Sequence, residues 1–345
     1  MIPGIVASQT IYYPPISVGG TETEINIDNA VYKLHTFTAN GNFELIGGSA
    51  TIDSLLIGGG AGGGKDRGGG GGAGDIVQKT GVLLSSGVYP VVIGLGGAAL
   101  TTAGRGNNGG STTFNNEEAP GGGGGGSNLN ASLTTGLSGA SGGGGAGTAV
   151  ANDSSGGTAT GEMGNNGGTG FKSGTAASRA SAGGGGAASV GQDATSAVGG
   201  KGGSGAVITF DGTEKNYSAG GGGYGTTSGD GGDGGGGAAG SSGGSPGTTP
   251  GSGGGGTHTT GNSGAGANGL VQIRRFLRHR MIELTIDAEE KIDELHWEDN
   301  YLTPASVTYV DETGSGGLTF MRVVSSASGD NHSAMVLPKG VTEDG

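Results

Sequence analysis

The chain has 345 residues, of which 90 are Gly and 9 are Pro, and only 31% are hydrophobic; that excludes one large conventional core and matches the composition of low-complexity proteins. A net charge of −13 with 13% charged residues argues against non-specific nucleic-acid binding, which needs a basic footprint. The absence of Cys excludes disulfides and thiolate metal sites, and with them a disulfide-stapled ectodomain.

In chain order, the N-terminus has no basic residue ahead of an apolar stretch and makes a poor signal peptide. The most apolar window, residues 88–100, contains three glycines and is too short to span a bilayer. The expectation is a protein made in a cytoplasm and not inserted into a membrane. Residues 1–30, broken by Pro14-Pro15 and Gly19-Gly20, read as a loosely structured lead-in, an N-terminal attachment segment. Strand patterns follow at residues 31–38, 42–46 and 51–57, with Asn40-Gly41 as an expected hairpin turn between the first two. Further strands are predicted at 75–80, 82–84, 88–95 and 111–114. A hairpin at 206–210 and 216–218, turning at Asp211-Gly212, interrupts the glycine-rich sequence, and 270–276 closes the domain as a strand. Residues 281–345 change character: they are richer in charge and hold the only Trp, with a helix predicted near 288–297 and a hairpin formed by 307–310 and 318–323.

Between these segments lie runs of four to six glycines, at 68–72, 121–126, 142–145, 183–186, 220–223, 234–237 and 253–256. Their irregular spacing excludes a fixed-period solenoid, and the broken register excludes collagen. Two readings remain: long flexible loops, or extended left-handed helices with three residues per turn that pair backbone to backbone. The second is energetically marginal. Each ordered residue costs about 1–2 kcal/mol and a hydrogen bond returns about 0.5–1.5 kcal/mol net, so such a bundle needs anchors. Strands bracket both long tracts and would supply them.

Several ordered pieces carry a resemblance: Tyr32-Lys33-Leu34-His35-Thr36-Phe37-Thr38, Asn40-Gly41-Asn42-Phe43 and Asp53-Ser54-Leu55-Leu56-Ile57-Gly58-Gly59-Gly60. They are followed by Gly87-Val88-Tyr89-Pro90-Val91-Val92-Ile93-Gly94, Gly106-Asn107-Asn108-Gly109-Gly110-Ser111, Tyr217-Ser218-Ala219-Gly220 and the exit Gly269-Leu270-Val271-Gln272-Ile273-Arg274. Together they resemble the glycine-rich domain of bacteriophage tail-fibre and virion proteins. The resemblance implies a mainly β fold: a small antiparallel, jelly-roll-like β-sandwich whose loops expand into a polyglycine II helix bundle. To this the sequence adds a small C-terminal α+β region. The expected division is an attachment segment at 1–30, a glycine-rich domain at 31–277 with tracts at 58–74, 119–205 and 219–269, and a C-terminal docking region at 278–345.

Local motifs offer little chemistry. Residues 58–63 follow a strand and fit G-x-G-x-x-G, but no helix can begin among the glycines beyond them. Residues 59–65 fit G-x-x-x-x-G-K, yet Asp66 stands where a P-loop needs a hydroxyl. The Asp230 and Asp233 turn occurs once and cannot stack as a calcium-binding repeat. The five histidines are scattered without ligand spacing. No catalytic residue, cofactor site or metal site is expected, and the chain reads as a non-enzyme.

Recognition, if present, should sit where the glycine lattice is interrupted, because bare backbone offers little specificity. The candidate loops are 128–137, 171–179 and 257–260, and Phe171, Lys172 and Arg179 are the candidate receptor contacts. Arg274, Arg275, Arg278 and Arg280, with Trp297, are the candidate subunit or domain contacts, the arginines facing acids such as Glu289, Glu290 or Asp293. The resemblance implies a virion protein synthesised in the host cytoplasm, either a tail-fibre or tail-tip adhesin or a purely architectural capsid or tail component. Its implied partners are other virion proteins and, for an adhesin, a host cell-surface glycan or outer-membrane protein; a homotrimer is one assembly the resemblance allows.

Overall fold

The computed structural model describes residues 14–149 and 154–279 and, in a second compact unit beginning at Ile282, three strands. The first unit is built on two five-stranded antiparallel sheets. One has the order β1 (Ile16–Val18), β4 (Gly41–Ile46), β7 (Gly87–Val92), β8 (Thr112–Phe114) and β9 (Glu117–Ala119). The other runs β2 (Thr21–Ile27), β3 (Ala30–Phe37), β12 (Leu270–His279), β5 (Ala50–Ile57) and β6 (Ile76–Leu84). A two-stranded hairpin, β10 (Ala206–Ile208) and β11 (Lys215–Tyr217), stands beside the second sheet. The second unit is described as a meander, β13 (Val307–Thr313), β14 (Thr319–Ala327) and β15 (Asp330–Val336). The predicted hairpin there is longer and gains a third strand; the predicted helix near 288–297 lies outside the described residues.

The sandwich core forms where the sheets face one another. Phe43, Leu45, Val91 and Phe114 of the first sheet meet Phe37, Ile52, Leu56, Val77, Val271 and Ile273 of the second. In β4 and β7 buried and exposed residues alternate, the pattern of a sheet with one wet face. The consecutive burial of Leu55, Leu56 and Ile57 has a different cause: at this part of β5 the second sheet is covered on both sides. Leu34, Leu55, Ile57 and Leu270 on its outer face pack against Ala206, Ile208, Phe210 and Tyr217 of the hairpin.

Three expectations are corrected. Asn40-Gly41 is not a hairpin turn: β3 pairs with β2 and β12, β4 pairs with β1 and β7, and the chain changes sheet between them. The Asn40 side chain instead accepts the Ile93 N–H at 2.8 Å, a long-range contact that a local turn signal cannot register. The tight turns with positive φ at both central residues are Asp28-Asn29, linking β2 to β3, and Asn115-Asn116, linking β8 to β9. Residues 16–27 are not a loose lead-in but carry β1 and β2, held by a buried side-chain network. His35 bonds the Gly19 carbonyl through Nδ1 and Ser17 Oγ through Nε2, both at 2.9 Å, while Arg275 Nε donates to the same Ser17 Oγ at 3.1 Å. A carbonyl only accepts, so Nδ1 carries the proton and Nε2 accepts from Ser17. Finally, the two predicted strands at 75–80 and 82–84 are one strand, β6, with a bulge: Gly81 sits at φ +68°, donates to Asp53 Oδ1 at 2.9 Å, and the register shifts between Ile52 and Ser54.

The glycine tracts form a lattice. Residues 68–75 illustrate it. Their N–H groups at 69, 72 and 75 reach the carbonyls of Gly126, Gly123 and Pro120; those at 70 and 73 reach Ala182 and Gly185; those at 68, 71 and 74 reach Thr257, Gly254 and Gly251. In return, the carbonyls of 75, 72 and 69 accept from Gly58, Ala61 and Gly64, those of 73 and 70 from Ser141 and Gly144, and those of 71 and 68 from Gly221 and Tyr224. All of these bonds measure 2.8 to 3.0 Å. Partners repeat every third residue, the three-fold periodicity of a polyglycine II helix, and the segment has six hydrogen-bonded neighbours. At its glycines a side chain is excluded by the same geometry: a Cβ at Gly70 would meet the carbonyl oxygen of Gly221, and one at Gly71 that of Ala61, well inside van der Waals contact.

Candidate functional site

The lattice has two unlike ends. Its helices enter and leave the sandwich through Ile57–Gly58 and Asp75–Ile76, where the Asp75 carboxylate takes the N–H groups of Ile76, Glu162 and Met163 at 2.9 to 3.0 Å. At the other end the first glycine hairpin reverses at Lys65-Asp66-Arg67, and this turn collects the loops around it. The Asp66 carbonyl accepts from Asn128 N at 2.8 Å, the Lys65 carbonyl from Ser127 Oγ at 2.6 Å, and the Arg67 carbonyl from Ser181 Oγ at 2.6 Å. Asp66 N in turn reaches the His258 carbonyl at 3.5 Å. The three interruptions selected from sequence, around 128–137, 171–179 and 257–260, are therefore gathered at one tip, remote in the chain path from the strands.

Within that tip, Phe171 and Arg179 are neighbours. Phe171 N donates to the Ala180 carbonyl at 2.7 Å, a 3-10 turn at Ala176–Ser178 caps the loop, and Arg179 Nε donates to the Ser173 carbonyl at 2.9 Å. Lys172 is exposed, while Phe171 and Arg179 are half-buried. Most tip cations serve the loops themselves: Lys65 is buried and donates to the Thr101 carbonyl, Arg67 pairs with Asp66 at 3.6 Å, and Arg105 reaches the Ser132 carbonyl at 2.6 Å. Lys172 alone of the tip cations has no bonding partner among the described residues. What the tip offers outward is mainly hydroxyls and amides, with Leu129 exposed and Tyr224 tilted against His258 at 5.0 Å between ring centroids. Sequence reasoning missed Tyr224 and the Lys65-Asp66-Arg67 hub; the hub's signal was available, as the one charged triplet inside the first glycine tract.

The arginines of β12 have separate tasks. Arg274 donates to Asp53 Oδ2 at 2.9 Å and to the Phe210 carbonyl at 2.8 Å, and its guanidinium lies over the rings of Phe210 and Tyr32 at 4.7 and 5.2 Å. It fastens the β10–β11 hairpin to the sheet. Arg275 belongs to the His35–Ser17 network, and Arg278 pairs with Glu24 at 3.1 Å on the surface. Arg280, Trp297 and the acids at 289, 290 and 293 lie outside the described residues.

Titration follows from these surroundings. Burial pushes His35 below the ordinary histidine value, against the raising influence of the Gly19 bond and Glu22, so it stays neutral at pH 7. The hydrogen bond from Lys33 holds Glu22 below the usual carboxylate value. Burial raises the Tyr217 phenol to about 12. For Asp211 burial works upward, but the Lys215 and Thr213 hydrogen bonds outweigh it and its carboxyl is lowered.

The nucleotide-like motifs have no donors to give. From Gly58 to Gly64 each N–H is already bonded to a backbone carbonyl, Gly60 to Ala267 and Gly63 to Gly264 among them, so no phosphate cradle exists there. Asp233 pairs with Lys201 at 2.8 Å. Among the described residues no cluster of three or more His, Cys, Asp or Glu is placed to hold a metal ion, and no helix is long and apolar enough to cross a membrane.

A β-sandwich whose connections are drawn out into a hydrogen-bonded glycine lattice defines a distinct class of domain. The glycine-rich domain family matches residues 37–275, from the end of β3 into β12, and the chain belongs to that family. No curated protein matches the chain.

Proposed function

We propose that the protein is a bacteriophage virion component, a tail-fibre or tail-tip adhesin that displays host-recognition loops on a rigid polyglycine scaffold. The observation that carries this reading is the gathering of 128–137, 171–179 and 257–260 around the Lys65-Asp66-Arg67 turn. A lattice in which the central segment 68–75 has six bonded neighbours fixes the position of the loop roots, so loop sequence can vary without moving the scaffold, and loops on rigid elements are where binding residues concentrate. The lattice itself exposes little side-chain chemistry, which leaves contact to the tip and the sheet faces. No catalytic role is assigned. The test is competition: purified protein should block adsorption of the phage that encodes it, and a Phe171→Ala, Lys172→Ala, Arg179→Ala triple variant should block less well at equal folding. Failure of the wild-type protein to compete overturns the reading.

A second reading, an architectural capsid or tail subunit without receptor binding, draws on the wet face of the first sheet. Ile16, Ile46, Val88 and Val92 there are 43 to 58% exposed, an apolar stripe suited to a neighbouring virion protein. Substituting Ile46 and Val88 by Asp would then abolish incorporation into particles, and the free wild-type protein would not compete for adsorption.

A further inference from the structure

Beside the sandwich, a cleft of about 510 Å3 opens between β12, the β10–β11 hairpin and lattice turns at Gly234 and Pro250, within the range of small-ligand sites. Its floor contains an anomaly. The outer face of β12 reads Leu270, Gln272, Arg274, and Gln272 is 4% exposed with no partner for Oε1. Its Nε2 has one long contact, to Thr36 Oγ1 at 3.5 Å. Turning the amide over exchanges which atom is orphaned but still leaves one. Buried polar groups are ordinarily satisfied, and an apolar residue here would extend the cluster around Leu270 without that penalty.

A second irregularity lies next in the chain to Tyr217, which lines the cleft. Ser218, fully buried, follows Tyr217 in the left-handed region at φ 59°; its Oγ also lacks a partner, and its N–H donates to the Pro250 carbonyl at 3.1 Å. Strained backbone of this kind persists where the surroundings enforce it, and it gathers at binding sites. The lining is uncharged in sum: Lys215 at the rim is paired with Asp211, and the raised Tyr217 phenol keeps its proton at neutral pH. An acceptor amide, a phenol donor and the Thr36 hydroxyl stand beside the apolar Leu270 and Pro250. Paired polar atoms next to a small apolar patch, without charge, match a sugar ring, which has hydroxyls at its edge and C–H groups on its face.

We propose that this cleft binds a neutral monosaccharide unit, with Gln272 accepting from one hydroxyl, Tyr217 donating to another, and Leu270 and Pro250 against the ring face. The site lies at the sandwich end and does not depend on the tip being a receptor-binding surface. Saturation-transfer NMR on the full-length protein with glucose, galactose and N-acetylglucosamine tests it. Transfer to at least one sugar is expected, weakened about tenfold in Gln272→Leu and in Tyr217→Phe, each costing one hydrogen bond, and unchanged in Phe171→Ala. Absence of transfer from wild-type protein to all three sugars overturns the proposal, and so does transfer at wild-type strength in both cleft variants. If wild type binds no sugar and Gln272→Leu melts higher, the orphaned amide is met by water alone and the proposal falls. Should Gln272→Leu misfold, Tyr217→Phe decides by the same criterion.

Discussion

At Leu56 in the sandwich and Gly70 in the lattice, two fully buried positions of one domain, the chain obeys opposite rules. Leu56 is held by side-chain volume: it joins Phe43, Phe114 and Val271 between the sheets, and what stabilises the site is apolar area removed from water. At Gly70 the Gly221 carbonyl lies where a side chain would begin, and what stabilises the site is backbone paired to backbone. The sandwich therefore suffers when atoms are removed and the lattice when they are added. The comparison also explains how a chain with so little apolar content folds: the sandwich supplies anchors, and between them the lattice satisfies its polar groups with almost no core of its own.

Five substitutions break or sharpen this contrast. Gly70→Ala should have the largest effect, a loss of about 3 kcal/mol or more, because the obstructing atoms are backbone shared with Gly221 and cannot move aside; limited proteolysis should then cut within 119–269 while the strands of the sandwich persist. Leu56→Ala should cost about 2–4 kcal/mol by cavity formation, measured by denaturant unfolding, with lattice and sandwich lost together since the anchors go first. Arg274→Ala, which frees the β10–β11 hairpin from Asp53 and the Phe210 carbonyl, should cost about 1–2 kcal/mol and raise hydrogen exchange in the hairpin.

A smaller effect is expected from acid. His35 has a lowered folded value, so the unfolded chain binds the proton more readily and stability rises with pH. Its contribution is full above about pH 6.5 and declines as pH falls toward the folded value, by at most about 1.4 kcal/mol per pH unit. Melting temperature should drop between pH 7.5 and 5.5, and His35→Gln should flatten that dependence; an unchanged slope would remove His35 as its source. Glu22, also lowered, acts only below its ordinary carboxylate range and leaves this window clear. The smallest effect belongs to Gly174→Ala in the tip loop, where a Cβ meets nothing within 4 Å; the change should stay within about 0.5 kcal/mol or stabilise slightly. Equal damage from Gly174→Ala and Gly70→Ala would refute the lattice account of the glycines.

Much of the sandwich was legible because strand patterns are local. The alternation in β4, the apolar run of β5 and the closing β12 stand close to where the sequence places them, and so does the β10–β11 hairpin. The failures have one physical character. Asn40-Gly41 looks like a hairpin turn, but pairing partners are chosen by the whole sheet, and Asn40 is claimed by Ile93 at the end of the neighbouring strand β7. Likewise β1 and β2 carry too few apolar residues to declare themselves; they are held by Ser17 and Gly19 bonding to His35, a contact no neighbouring residue foretells. Of the candidate site, the loop residues were legible as interruptions in glycine, whereas Tyr224, the Lys65-Asp66-Arg67 hub and the orphaned Gln272 acquire meaning only from what lies beside them.

By itself the sequence determined that strands alternate with glycine tracts, that no thiol chemistry is available and that the tracts must pair their backbones or remain loose. Those are properties of composition and short-range pattern. Tertiary structure decided which helices become neighbours, which interruptions share a tip and which polar atoms go unpaired. The reason is that glycine segments are nearly identical to one another: their partners are set not by side chains but by where each strand of the sandwich delivers and retrieves the chain.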